Sequence, residues 1–192
     1  VNLPTQLTVG RICLVPVVVA FLISNESTHA LVAAVLFAGA ALTDWLDGLI
    51  ARRRGQVTTL GKLLDPVADK VLVSAALISL VQVGTVEAWM VVIVIGREFA
   101  VTGLRSVSAA QGLVIEASDL GKYKTVAQYL AVILLILERS VPSGIESDFL
   151  YLSRGMLWTA LTLTVFSGID YFVRFYRASD VDALVRGEDR WR

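Results

Sequence analysis

Cysteine and histidine are nearly missing from this 192-residue chain, with one of each. Cys13 lies in an apolar run without an intrachain partner, which excludes a disulfide framework and a thiolate metal site. It reads as a small packing or lipid-facing residue. His29 falls in a predicted outer loop and reads as a surface residue, not a catalytic one. A surplus of charge of either sign is missing too: 17 Lys and Arg balance 17 Asp and Glu. That balance does not indicate a basic nucleic-acid binder, so no nucleic-acid partner is expected. There is no low-complexity tract and no short repeat. Val1 to Thr8 has no basic stretch, and no small-residue cleavage site follows the first apolar run, so the start does not read as a cleavable signal.

Apolar sequence is abundant. Hydrophobic residues make up 56% of the chain, and mean hydropathy is +0.70. Both point to a polytopic membrane protein. Six apolar spans, near 7–24, 29–51, 61–82, 87–108, 120–138 and 152–174, are each long enough to cross about 30 Å of hydrocarbon. The breaks between them carry turn residues, such as Ser24-Asn25-Glu26-Ser27 and Val141-Pro142-Ser143-Gly144. Loop charge alternates. Arg52, Arg53, Arg54 and Lys62 flank the second connection, and Arg105, Lys122 and Lys124 the fourth, while Glu26, Glu87, Glu138, Glu146 and Asp148 lie on the other side. The Lys/Arg bias puts the basic side and both termini in the cytoplasm.

Four acids interrupt this pattern where the second and third spans meet the basic loop: Asp44-x-x-Asp47-Gly48-x-x-Ala51-Arg52, eight residues, then Gly61-x-x-x-Asp65-x-x-x-Asp69. Spacings of three and four put each pair on one helix face. At 1.5 Å per residue, Asp44 and Asp47 lie about 10 and 6 Å from the cytoplasmic end, and Asp65 and Asp69 about 6 and 12 Å in. The acids therefore share one depth band. Ionisable groups in membrane segments are costly and so are functional candidates. Carboxylate oxygens suit Mg²⁺ or Mn²⁺, and about two such ions would neutralise four of them. Two ions can also clamp the attacking and leaving oxygens of a phosphoryl transfer. Gly48, Ala51 and Gly61 leave room for a ligand beside the acids, although small residues also simply pack membrane helices.

The pattern D-x-x-D-G-x-x-A-R-x8-G-x-x-x-D-x-x-x-D resembles the defining motif of the CDP-alcohol phosphotransferase family, and every fixed position is filled. Further blocks resemble its bacterial phosphatidylglycerophosphate synthase subfamily: Asn2-Leu3-Pro4-Thr5-x-Leu7-Thr8-x-x-Arg11, Gly61 to Lys70, Arg97 to Arg105, Gly121-Lys122-x-Lys124-Thr125 and Ser167-Gly168-Ile169-Asp170-Tyr171. The resemblance implies an all-α integral membrane fold of six transmembrane helices with a cytoplasm-facing two-metal cavity. Residues 1–176 would form this domain and 177–192 a cytoplasmic tail. It implies transfer of the phosphatidyl group of CDP-diacylglycerol to sn-glycerol 3-phosphate in the bacterial cytoplasmic membrane, with release of CMP, and it suggests a homodimer. Asp44, Asp47, Asp65 and Asp69 would hold two Mg²⁺ or Mn²⁺, with Asp69 also the general base. Asn2, Thr5, Gly48, Ala51, Arg52 and Gly61 would border the CDP donor.

A phosphorylated acceptor needs its own cations. Arg97 sits about 15 Å into the fourth span, and Arg105, Lys122 and Lys124 lie nearer the cytoplasm. These residues are the candidates for the acceptor phosphate. Arg97 has a second reading as half of a structural bridge to Glu98 or an Asp, and Lys122 and Lys124 as topogenic anchors. Two wider alternatives are a different acceptor (inositol phosphate, inositol, serine or phosphatidylglycerol) and a divalent-metal transporter. A conduction path needs polar groups at every depth, whereas Leu31 to Ala41 and Val71 to Leu80 are apolar.

Overall fold

Long runs of Leu, Ala, Val and Ile, with turn residues confined to a few places, favour long helices. The computed structural model describes residues 3–54, 59–112, 119–142 and 144–186, and their side chains except those of 3–8, 44–54, 59–66, 69 and 179–186. Its regular elements are helices: α1 (Leu3–Leu22), α2 (Ser27–Arg54), α3 (Thr59–Gln82), α4 (Ala88–Ala110), α5 (Asp119–Leu137) and α6 (Glu146–Arg186), with a short 3-10 turn (Glu138–Ser140) after α5. Each predicted span lies along one of them. The largest difference is α6, which starts before its apolar run and continues through Arg177 to Arg186.

Helix ends follow local chemistry. At the end of α3, Gly84 adopts φ 76°, its N–H reaches the Val81 carbonyl at 3.0 Å, and the Thr85 N–H reaches Leu80 at 2.9 Å. This is a Schellman cap, and the left-handed position is open to glycine without a Cβ penalty. Gly112, just past α4, has φ 74° and plays the same part.

The helices pack as a bundle. α1 lies on α2 and α3, α5 along α6 and against α2, and α4 on α6 and α3. Small side chains line the contacts: Ala30, Ala33 and Ala34 on α2, Ala76 on α3, Ala127 and Ala131 on α5, and Ala160 on α6 are all buried. They allow the close backbone approach that replaces hydrophobic driving force in a lipid environment. Phe37 fills the centre with Leu72, Leu80, Val132 and Leu135.

Polar side chains join the apolar core, and large apolar ones cover much of the outside. Arg11, Lys124, Gln128, Ser153, Thr164 and Ser167 are buried, while Val35, Val92, Phe99 and Phe166 face outward. A lipid solvent favours that arrangement. Two helical stretches among the described residues are long and apolar enough to cross a membrane: Asp119–Ser140 and Glu146–Ala178.

The end of the bundle remote from the aspartates is tied by polar contacts. Glu138 accepts hydrogen bonds from Arg154 (3.0 Å) and Ser153 (2.6 Å), and Arg154 also donates to the Thr85 carbonyl. Arg139 reaches the carbonyls of Leu22 and Ser24. His29, expected as a surface residue of an outer loop, instead sits in the first turn of α2, half-buried, where it bonds Ser24 at 2.7 Å and packs edge-on against Phe21. Cys13 is exposed.

Candidate active site

The acid motif straddles the connection between two consecutive helices. Asp44, Asp47, Gly48, Ala51 and Arg52 fall on the last turns of α2, and Gly61, Asp65 and Asp69 on the first turns of α3. Helical backbone at both pairs preserves the i,i+3 and i,i+4 spacings the motif needs. The side chains of these eight residues, and of Thr5 on α1, lie outside the described ones, as does Asn2 altogether. The donor chemistry is uniform: four carboxylates, with no sulfur or imidazole in the motif, suit hard divalent cations. α1 packs against both aspartate-bearing helices and buries Arg11, which is 5% exposed. The sequence flagged this buried guanidinium only as part of a longer block.

The predicted acceptor cations separate into three groups. Arg97 on α4 donates from Nη1 to Glu98 Oε1 at 3.2 Å and from Nη2 to Ser167 Oγ of α6 at 3.0 Å. Lys124 on α5, 6% exposed at its side chain, bonds the same oxygen of Glu98. Arg97, Glu98 and Lys124 thus form one cluster, two cations about one carboxylate, with Lys124 buried and the other two largely so. The bridge to Glu98 that was the alternative reading of Arg97 is present, and it extends to a third residue. Arg105 lies apart, exposed, with its guanidinium 5.8 Å from the Tyr171 ring centroid. Lys122 points to solvent and pairs with Asp119 at 2.8 Å, both side chains more than 70% exposed (75% and 79%).

Several participants were not singled out by sequence. Lys70, the residue after Asp69, donates to Thr102 Oγ1 of α4, and Thr102 in turn donates to the Glu98 carbonyl at 2.7 Å. Lys70, Ser74, Glu98, Lys124, Thr125 and Gln128 border a cavity of about 40 Å³ between α3, α4 and α5, large enough to hold water. Among the described residues, the buried Arg97 Nε, Gln128 Nε2 and Tyr171 Oη have no hydrogen-bond partner. Buried donors of that kind are costly unless a ligand or water satisfies them. The available signal for Gln128 was a lone amide one turn beyond Lys124 in an otherwise apolar helix.

Chemically, the chain offers an all-carboxylate motif on the ends of α2 and α3 that adjoin in sequence, and a largely buried, net-cationic cluster on α4 and α5. The first suits cations and the phosphates they bind; the second suits an anion.

Comparison with known proteins follows the same lines. The pattern of the CDP-alcohol phosphatidyltransferase family matches residues 1–166. The CDP-diacylglycerol–glycerol-3-phosphate 3-phosphatidyltransferase of Bacillus subtilis (strain 168) is 44% identical over 189 residues, covering 92% of this chain and 96% of that protein. The protein of that name from Rickettsia bellii is 37% identical over 171 residues, covering 89% and 93%. A probable phosphatidylglycerophosphate synthase of Mycobacterium tuberculosis is 38% identical over 179 residues, covering 92% and 82%.

Proposed function

Because the chain belongs to the CDP-alcohol phosphatidyltransferase family, we propose that it transfers the phosphatidyl group of CDP-diacylglycerol to sn-glycerol 3-phosphate. The products are phosphatidylglycerophosphate and CMP. The observation that carries this reading is the complete acid motif, Asp44 to Asp69, on the consecutive ends of α2 and α3, in a chain whose relatives at 37% and 44% identity bear the name of that reaction.

Asp44, Asp47, Asp65 and Asp69 would hold two divalent cations, Mg²⁺ or Mn²⁺. When bound, the pair supplies positive charge to the donor pyrophosphate and to the phosphoryl group in transit. Asn2, Thr5, Gly48, Ala51, Arg52 and Gly61 would border the CDP moiety. Asp69 takes the proton of the acceptor hydroxyl as its oxygen bonds to the lipid-bearing phosphorus. The bond from that phosphorus to the CMP oxygen breaks, and CMP leaves with the electron pair. Arg97 and Lys124 receive the acceptor's own phosphate, with Arg105 and Lys122 nearer the entrance.

The same reading covers topology. All six helices would cross the bilayer, with the acids, the basic loops and both termini on the cytoplasmic side. Lys/Arg bias supports that orientation. Residues 1–176 would be the catalytic domain and 177–192 a cytoplasmic extension that begins as the end of α6. The cytoplasmic membrane of a bacterium is the setting, and a homodimer the assembly. Acyl chains would lie sideways in lipid while nucleotide and acceptor enter from water.

The test is CMP release by purified protein in detergent, with Mg²⁺, CDP-diacylglycerol and one acceptor at a time. Release with glycerol 3-phosphate, accompanied by a new phosphatidylglycerophosphate, is the expected outcome. Release only with inositol, serine or another alcohol would discard the acceptor assignment, and metal flux in proteoliposomes without CMP release would discard the enzyme.

A further inference from the structure

Arg97 is held on three sides. Glu98 Oε1 takes its Nη1, Ser167 Oγ takes its Nη2, and Gly168 lies beneath its stem, where an added Cβ would stand 3.1 Å from Cγ. Its buried Nε has no partner among the described residues. Lys124, from the next helix along the chain, is held by the same Glu98 oxygen. One carboxylate on α4 thus sets the spacing of two cations whose stems come from α4 and α5.

We propose that Glu98 is a positioning residue for the acceptor site: it ties Arg97 to Lys124 and fixes the pair at the separation an acceptor phosphate needs. This rests on the reading that the acceptor carries a phosphate. Two cations around one anion leave a net positive charge, so the cluster stays attractive to a phosphate while each long side chain loses its freedom to swing away. Fixing the cations beforehand lowers the ordering cost of binding. Ser167 and Gly168 serve the same end from α6, which gives the Ser167-Gly168 block a part in the reaction.

A competing account makes Glu98 only a counter-ion that keeps two cations tolerable in an apolar bundle. The two accounts predict opposite signs. If Glu98 only neutralises charge, removing its charge strengthens acceptor binding, and a shorter acid in its place changes nothing. If it positions, both substitutions weaken acceptor binding.

The experiment compares wild type, Glu98→Gln, Glu98→Asp and Ser167→Ala in the CMP-release assay, varying glycerol 3-phosphate and CDP-diacylglycerol separately. The expected result is a KM for glycerol 3-phosphate raised about tenfold or more in Glu98→Gln, the scale of a lost hydrogen bond to a charged group. Glu98→Asp and Ser167→Ala raise it less, by about threefold or more, while the donor KM stays within about twofold. Should Glu98→Gln fail to fold, the other two decide, since Glu98→Asp keeps the charge and Ser167→Ala does not alter it. An unchanged or lowered acceptor KM in the folded variants overturns the inference, as does a loss shared equally by kcat and both KM values. If wild type turns over only with an unphosphorylated alcohol, the proposed acceptor fails first, visibly in the wild-type trace, and the inference falls with it.

Discussion

Gly168 of α6 lies against the stem of Arg97 of α4, so that a methyl group at Gly168 would stand 3.1 Å from Arg97 Cγ. The contact joins a block near the end of the chain to a charged residue in its middle. Gly168→Ala should therefore separate stability from kinetics. Alanine in a helix interior gains about 0.5–1 kcal/mol over glycine, which offsets the crowding, and the thermal midpoint in detergent should stay near that of wild type. The Arg97 stem must shift, and an off-rotamer side chain costs about 0.5–1.5 kcal/mol, so the acceptor KM should rise roughly threefold to tenfold. A parallel fall in midpoint and turnover, with KM unchanged, would assign the glycine to packing alone.

Lys122 and Lys124 are two residues apart and differ sharply in setting. Lys124 is buried on Glu98, while the Lys122 side chain is 75% exposed and paired with Asp119. Solvent-exposed pairs contribute about 0–1 kcal/mol, and a charge facing water attracts a bound anion weakly. Lys124→Met should raise the acceptor KM by about tenfold or more, and Lys122→Met by much less. Equal effects would place the acceptor phosphate nearer the surface than Arg97.

The contrast also shows where legibility ends. Helix positions were readable because each apolar span needs its own membrane-length helix, and α2 and α3 carry the acid motif where its spacing requires. Arg97 was readable as an unusual charge at depth. Its bridge to the adjacent Glu98 was one of the two readings of Arg97; the rest of its hold was not readable, because Glu98 and Lys124 are 26 residues apart and Arg97 and Ser167 are 70 apart. Only the packing of α4 on α6 and the course of α5 bring them together. Local patterns place Lys122 and Lys124 alike in the basic loop, and helix rotation alone turns one inward and the other out. The far end of α6 was understated for another reason: apolar periodicity stops near Arg174, whereas helical backbone continues to Arg186.

The remote end of the bundle should govern stability without touching kinetics. Glu138 holds Arg154 at 3.0 Å and Ser153 at 2.6 Å, and Arg154 bridges on to the Thr85 carbonyl. Glu138→Ala removes the carboxylate shared by Arg154 and Ser153 and leaves each only a backbone carbonyl, of Thr85 and of Leu150, at a cost of about 1–3 kcal/mol for the lost bonds to a charged group. Its thermal midpoint should fall by several degrees, as measured by the temperature dependence of aggregation in detergent. Both KM values in the folded fraction should match those of wild type, and a raised KM would mean that this network communicates with the site.

Removing divalent cations should abolish CMP release, and the aspartates should divide by what they lose. EDTA should stop turnover and added Mg²⁺ restore it, because the four carboxylates of the proposed site would repel one another and the donor pyrophosphate unless cations neutralise them. Asparagine in place of Asp44, Asp47 or Asp65 keeps the shape of the side chain but removes a charge from the proposed cation site. Each such variant should bind CDP-diacylglycerol poorly as well as turn over slowly, which equilibrium binding of the donor in Mg²⁺ can read. Asp69→Asn differs in kind if Asp69 is the base. It should keep measurable donor binding while losing about 10²–10⁴ in turnover, the usual contribution of general base catalysis. The binding measurement is the decisive half. An Asp69→Asn protein that still turns over near the wild-type rate would move the proton to another acceptor. One that loses donor binding as fully as Asp44→Asn would make Asp69 a cation ligand first, and its role as base would need a separate demonstration.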